Sequence, residues 1–78
     1  MMLSPRQLEV LSMIASGFAK EQIAYHLGIS PHSVDKHTRR TFAKLGVCTS
    51  AQAVYVALTS GIPLVRYTIV TQIRTSTN

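Results

Sequence analysis

Residues 20–45 read KEQIAYHLGISPHSVDKHTRRTFAKL. From Lys20 to Leu27, the residues Ile23, Ala24 and Leu27 form one apolar stripe at helical spacing, Glu21 sits in the first turn, and Gly28 supplies a stop. Only Gly28, Ile29 and Ser30 separate this segment from the next, which opens with Ser30 as N-cap and Pro31 at the first helical position. That second segment runs from 31 to 45 and Gly46 closes it. Two short helices joined by three residues, one of them glycine, have the spacing of a helix-turn-helix, because the chain must reverse within one tight step.

The flanks extend the pattern in both directions. Upstream, Ser4 is an N-cap, Pro5 is preset for the first turn, and Gln7 stands where a capping box needs it. Leu3 and Leu8 have the spacing of a hydrophobic staple, and Leu8, Val10, Leu11, Ile14 and Ala15 carry a helix from 5 to 16, stopped by Gly17. Downstream, Thr49 and Gln52 form another capping box, opening a helix whose buried stripe is Ala53, Val54, Ala57 and Leu58; Gly61 and Pro63 end it. Residues 64–78 then change character: Val65, Tyr67, Ile69 and Ile73 alternate with Arg66, Thr68, Gln72 and Arg74 as on a half-buried strand. A lone strand is not stable, so this tail pairs with a second copy, docks on the helices, or stays disordered. The expected architecture is all-α, with a four-helix domain over 1–63 and an extended, strand-like C-terminal tail over 64–78.

Composition bounds what such a domain does. With 78 residues, 46% apolar and 14% charged, the chain holds one small core. Eight Lys and Arg against three Asp and Glu give a net charge of +5, which points to an anionic partner. The single cysteine, Cys48, forms no internal disulfide and has no closely spaced His or Cys ligands, so neither a metal site nor an oxidising compartment is expected. No stretch reaches the ~18 unbroken apolar residues of a membrane span, and the N-terminus has no apolar signal core, which suits a cytoplasmic location. No serine, cysteine or carboxylate pair sits beside a plausible base and no glycine-rich phosphate loop is present, so enzymatic activity, a cofactor and a small-molecule ligand are not expected.

On a helical wheel of the third helix, at about 100° per residue, Val34, Thr38, Thr41 and Leu45 share the buried side. Lys36, Arg39 and Arg40 lie opposite, with His32 and Ala43; Ser33, His37 and Lys44 line one flank, Asp35 and Phe42 the other. Lys36, Arg39, Arg40 and Lys44 are four of the eight basic residues in the chain. Like charges at i,i+4, such as Lys36 and Arg40, repel by a few tenths of a kcal/mol, a penalty that a polyanion reverses. The major groove of B-DNA admits an α-helix and offers guanine O6 and N7 to Arg or Lys between two phosphate walls. A solvated basic face is by itself unremarkable; on the second helix of a helix-turn-helix it points to double-stranded DNA.

The stretches LSPRQLEVLSMIASG, KEQIAYHLGIS, SVDKH, KLGV and AVYVA with a closing glycine resemble the LuxR/GerE-type helix-turn-helix domain over residues 3–63. The resemblance implies a DNA-binding transcriptional regulator of bacterial or phage type, with the third helix in the major groove and the fourth used for pairing. Carried over residue by residue, it assigns Asp35, Lys36 and Arg39 to base edges. It assigns Lys20, Ser30, His32, Ser33, His37, Arg40 and Lys44 to phosphates. The chain departs from the family pattern at Asp35, where lysine is common, at Ser50, where arginine is usual, and at Ala19, Gln22 and Thr41. Asp35 has two readings: it accepts from a cytosine amino group, or it forms an i,i+4 ion pair that orients Arg39, which is the expected role. His37 equally suits a half-buried residue bonding a neighbouring carbonyl, and His26 has no ligand set around it.

The outward residues of the fourth helix are Gln52, Tyr55, Val56 and Thr59, and two adjacent apolar side chains there suggest an interface. The resulting expectation is a two-fold homodimer on half-sites about one helical turn apart, reinforced by antiparallel pairing of residues 64–73. Family members often carry a receiver or ligand-binding domain, which 78 residues do not accommodate, so the sequence reads as a stand-alone regulator or a fragment. An alternative is an anti-activator that heterodimerises with a related regulator through the fourth helix or the tail.

Overall fold

A computed structural model describes residues 2–67. It contains helices α1 (Pro5–Ala15), α2 (Lys20–Leu27), α3 (Pro31–Leu45) and α4 (Ser50–Thr59), and no strand among the described residues. The starts are set by local chemistry. Ser4 Oγ accepts the Gln7 N–H at 3.1 Å while Gln7 Oε1 accepts the Ser4 N–H at 2.9 Å, and Thr49 with Gln52 repeats the arrangement at α4. At α3, Ser30 Oγ accepts the Ser33 N–H at 3.1 Å. Ala19 has no side-chain acceptor, so α2 keeps only half of such a box, Gln22 Oε1 taking the Ala19 N–H at 2.7 Å.

The reversal between α2 and α3 depends on Gly28, whose φ of 69° is left-handed and strained for any residue with a Cβ. The Ile29 N–H then returns to the Ala24 carbonyl at 3.0 Å, and Ile29 packs onto the core, so the turn is both hydrogen-bonded and seated. Gly46 ends α3 in the same way, with the Val47 N–H on the Phe42 carbonyl at 3.0 Å.

Helices α1 and α3 each pack against the other three, whereas α2 and α4 do not meet. This divides the interior in two. Val10, Met13, Phe18, Ile23, Ala24 and Val34 fill one cluster; Leu11, Leu45, Ala53 and Ala57 fill the other, on the α4 side. Leu3 packs against the second cluster, while Leu8, its expected staple partner, is half-buried. Thr41 is buried on α3, and its hydroxyl donates to the His37 carbonyl at 2.8 Å, which removes the cost of an unpaired polar group.

Three burial expectations change. Ala15 is exposed and Ser12 is buried in its place, because the chain after Pro63 runs back along that face of α1. Thr38 is half-buried, outside the α3 core stripe of Val34, Thr41 and Leu45. Leu58 is 68% exposed, whereas Val56 packs against the second cluster. The contact face of α4 is narrow, centred on Ala53 and Ala57, and Leu58 lies one residue past its edge.

The described part of the tail, residues 64–67, docks on α1 and forms no strand. The Val65 N–H donates to Ser12 Oγ and the Tyr67 N–H to Ser16 Oγ, both at 3.0 Å. Two amides two residues apart in an extended chain are spaced by about 6.6 Å, close to the ~6 Å rise between helical positions four apart, so the hydroxyls match alternate amides. Tyr67 completes an edge-to-face triangle with Phe18 and His26, at centroid distances of 5.8 to 6.1 Å. Of the three expected fates of the tail, docking on the helices is the one seen at residues 64–67; residues 68–73 of the expected pairing segment lie outside the described residues.

Candidate nucleic-acid interface

Helix α3 presents its basic residues to solvent. Lys36, Arg39 and Arg40 are all exposed, as is His32 near the N-terminus of the helix. The apolar side of α3 is held by α1 and α2, so the basic side is turned outward as a consequence of packing. Of the three acidic residues in the chain, Glu9 pairs with Arg6 at 3.8 Å and Asp35 with Lys20 at 3.3 Å. Among the described residues, no carboxylate lies within ion-pair distance of Lys36, Arg39, Arg40 or Lys44.

The expected Asp35–Arg39 ion pair is not formed. Asp35 Oδ2 takes the Lys20 ammonium instead, and both side chains remain a little over 40% exposed. Asp35 lies on the flank of α3 that faces α2, where Lys20 opens that helix; a partner fifteen residues away in sequence is invisible to an i,i+4 rule. Arg39 is left without a carboxylate among the described residues.

On the other flank, Lys44 Nζ donates to the Met2 carbonyl at 3.0 Å and to Gln7 Oε1 at 3.1 Å. Both acceptors are neutral, so they orient the ammonium without cancelling its charge. Gln7 is itself buried and receives the Ser4 N–H on the same oxygen, which ties the end of α3 to the start of α1. Sequence reading places Lys44 correctly on a flank but has no signal for Met2 and Gln7 as its anchors.

The other expected phosphate residues differ in availability. Ser30 and Ser33 lie together at the start of α3, Ser30 Oγ donating to Ser33 Oγ at 3.1 Å besides its capping bond. His37 is half-buried, with no side-chain hydrogen bond among the described residues. No cluster of His, Cys, Asp or Glu among the described residues has the make-up of a metal site, and no helix there is long and apolar enough to cross a membrane.

Outside α3, the exposed apolar side chains of α4 are Tyr55 and Leu58, both at 68%, rather than Tyr55 and Val56. Beside them an open groove of about 400 Å³ is lined by Val47, Ala51, Gln52, Tyr55 and Val56. Gln52 and Thr59 are exposed but partly engaged: Gln52 Oε1 receives the Cys48 and Thr49 amides, and Thr59 Oγ1 donates to the Tyr55 carbonyl.

The profile described as "Bacterial regulatory proteins, luxR family" matches residues 1–57. The chain belongs to the LuxR family. It is 35% identical over 60 residues to the transcriptional regulatory protein FixJ of Azorhizobium caulinodans, an alignment covering 77% of this chain and 28% of that protein. It is 36% identical over 55 residues to the HTH-type transcriptional regulator MalT of Vibrio cholerae, covering 70% of this chain and 6% of that one. The fold is similar to the crystal structure of the response regulator ChrA of a heme-sensing two-component system, with a TM-score of 0.76 at 30% identity over 81% of this chain and 31% of that chain. The LuxR-type chain thus spans less than a third of these longer proteins. The family works by DNA binding in transcription regulation, not by catalysis.

Proposed function

We propose that this LuxR-type domain binds double-stranded DNA in a sequence-dependent manner with α3 in the major groove. The observation that carries the reading is the outward face of α3: three exposed cations, Lys36, Arg39 and Arg40, without a carboxylate partner among the described residues. Lys36 and Arg39 read base edges, with Arg39 suited to guanine O6 and N7. Arg40, His32, His37 and the N-terminal serines Ser30 and Ser33 approach phosphate, and Lys44 is a phosphate anchor already oriented before binding. Lys20 lies between Asp35 and the phosphate wall. In this reading the domain regulates transcription in the cytoplasm.

In the same reading two copies pair through α4. Tyr55 and Leu58, one helical turn apart and flanked by Gln52 and Thr59, are the apolar surface available for a two-fold contact. The same patch supports a second reading, capture of a related regulator as a heterodimer. The two separate on salt, because phosphate neutralisation loses about 0.9 log units of affinity per contact for each log unit of salt, while apolar capture is far less sensitive. Selection of bound sequences from a random duplex pool at two salt concentrations tests both. A recovered palindrome with steep salt dependence supports DNA reading; recovery of no sequence at either salt overturns it.

A further inference from the structure

Asp35 is the one carboxylate on a helix that carries four cations, and it sits in the second turn of α3, the part of a recognition helix that meets base edges. A carboxylate there faces repulsion from both phosphate walls. Its charge is offset by Lys20, whose ammonium holds Oδ2 at 3.3 Å from the first turn of α2. The other oxygen, Oδ1, accepts no hydrogen bond among the described residues, and the side chain is 44% exposed. One oxygen is thus anchored across the helix-turn-helix, and the other keeps its acceptor capacity on a half-exposed side chain.

We infer that the Lys20–Asp35 pair is a specificity device: Asp35 reads the amino group of a cytosine, and Lys20 is the positioning residue that makes a carboxylate tolerable there. This rests on the DNA-binding reading above. In the major groove, cytosine offers the N4 amino donor, whereas guanine offers only the acceptors O6 and N7, which repel a carboxylate oxygen. Adenine offers a donor too, but its N7 acceptor lies beside it and faces the same carboxylate. The ammonium has three donors, so Lys20 keeps its bond to Oδ2 while meeting a phosphate with another. Arg39, released from Asp35, stays available for a guanine nearby, so the pair and Arg39 together read neighbouring bases of opposite hydrogen-bonding character.

The test is selection from a random duplex pool with the 78-residue chain and its Asp35→Asn, Asp35→Ala, Lys20→Met and Lys20→Arg variants, each checked for helicity and melting temperature. The wild type should enrich cytosine over guanine at one position of each half-site by roughly tenfold or more. Asp35→Ala, which removes the acceptor, should abolish that preference while leaving the other positions unchanged, and Asp35→Asn, which keeps one acceptor and gains a donor, should broaden it towards adenine. Lys20→Met should reduce it and Lys20→Arg restore it, a pattern that a loss of phosphate affinity alone does not produce. An unchanged cytosine in Asp35→Ala, or no cytosine position in the wild type, overturns the inference. An unchanged preference in Lys20→Met overturns the positioning role. Failure of the wild type to enrich any sequence overturns the DNA-binding reading itself.

Discussion

Replacing Arg39 by alanine removes an exposed guanidinium that has no ion-pair partner among the described residues. The fold should barely register the change. An exposed helical position away from caps and cores responds within about 0.5 kcal/mol, so the melting temperature of a domain this size moves by only a few degrees. Binding should respond strongly. A bidentate contact to guanine contributes about 1 to 3 kcal/mol of discrimination, a factor of roughly 5 to 150 in Kd, entering once per half-site if two copies bind. Among the described residues nothing offsets this loss, because Asp35 is held by Lys20 and no ion pair with Arg39 has to break on docking. Fluorescence-anisotropy titration against the selected duplex and a scrambled duplex, each at two salt concentrations, separates the contributions. The variant should lose affinity mainly for the selected sequence and converge with wild type on the scrambled one. Equal loss on both duplexes would reassign Arg39 to phosphate, and no loss on either would refute the proposed groove-facing surface.

Three further outcomes are expected. Lys44→Ala should weaken binding to all sequences alike and reduce the slope of log affinity against log salt by about 0.9, read from the same titrations; loss confined to one sequence would contradict a phosphate role. Under the proposed pairing the wild type should sediment as a dimer, and Tyr55→Glu, which puts a charge into the exposed α4 patch away from the buried Ala53 and Ala57, should sediment as a monomer; no difference between the two would overturn pairing through α4. Ser12→Ala removes the acceptor of the Val65 amide and should lower stability by about 1 kcal/mol, a melting shift of about 4 to 8 °C; an unshifted melt would show that the docked tail contributes nothing to folding.

The basic face of α3 was legible because it lies on one helix. Lys36, Arg39 and Arg40 share the face opposite Val34, Thr41 and Leu45, and the structure exposes the first three and buries the second three. Three of the expectations that changed involve a second element. Asp35 has Arg39 one turn away along its own helix, yet the approach of α2 brings Lys20 closer. Leu58 reads as core until the narrow contact face of α4 leaves it outside. Ser12 carries no signal within α1, and its role appears only when the chain after Pro63 returns to use it as an acceptor.

The amino-acid sequence alone determined where the helices begin and turn, since Ser4, Ser30, Thr49, Gly28 and Gly46 act on backbone groups within about one turn of themselves. Tertiary packing alone decided which charges are cancelled and which are left for a ligand. Ion pairing falls off with the distance between side-chain tips, and that distance is set by how helices cross. Lys20 and Lys44 are the same residue type on the same domain, yet one ammonium is held by a carboxylate and the other by two neutral oxygens.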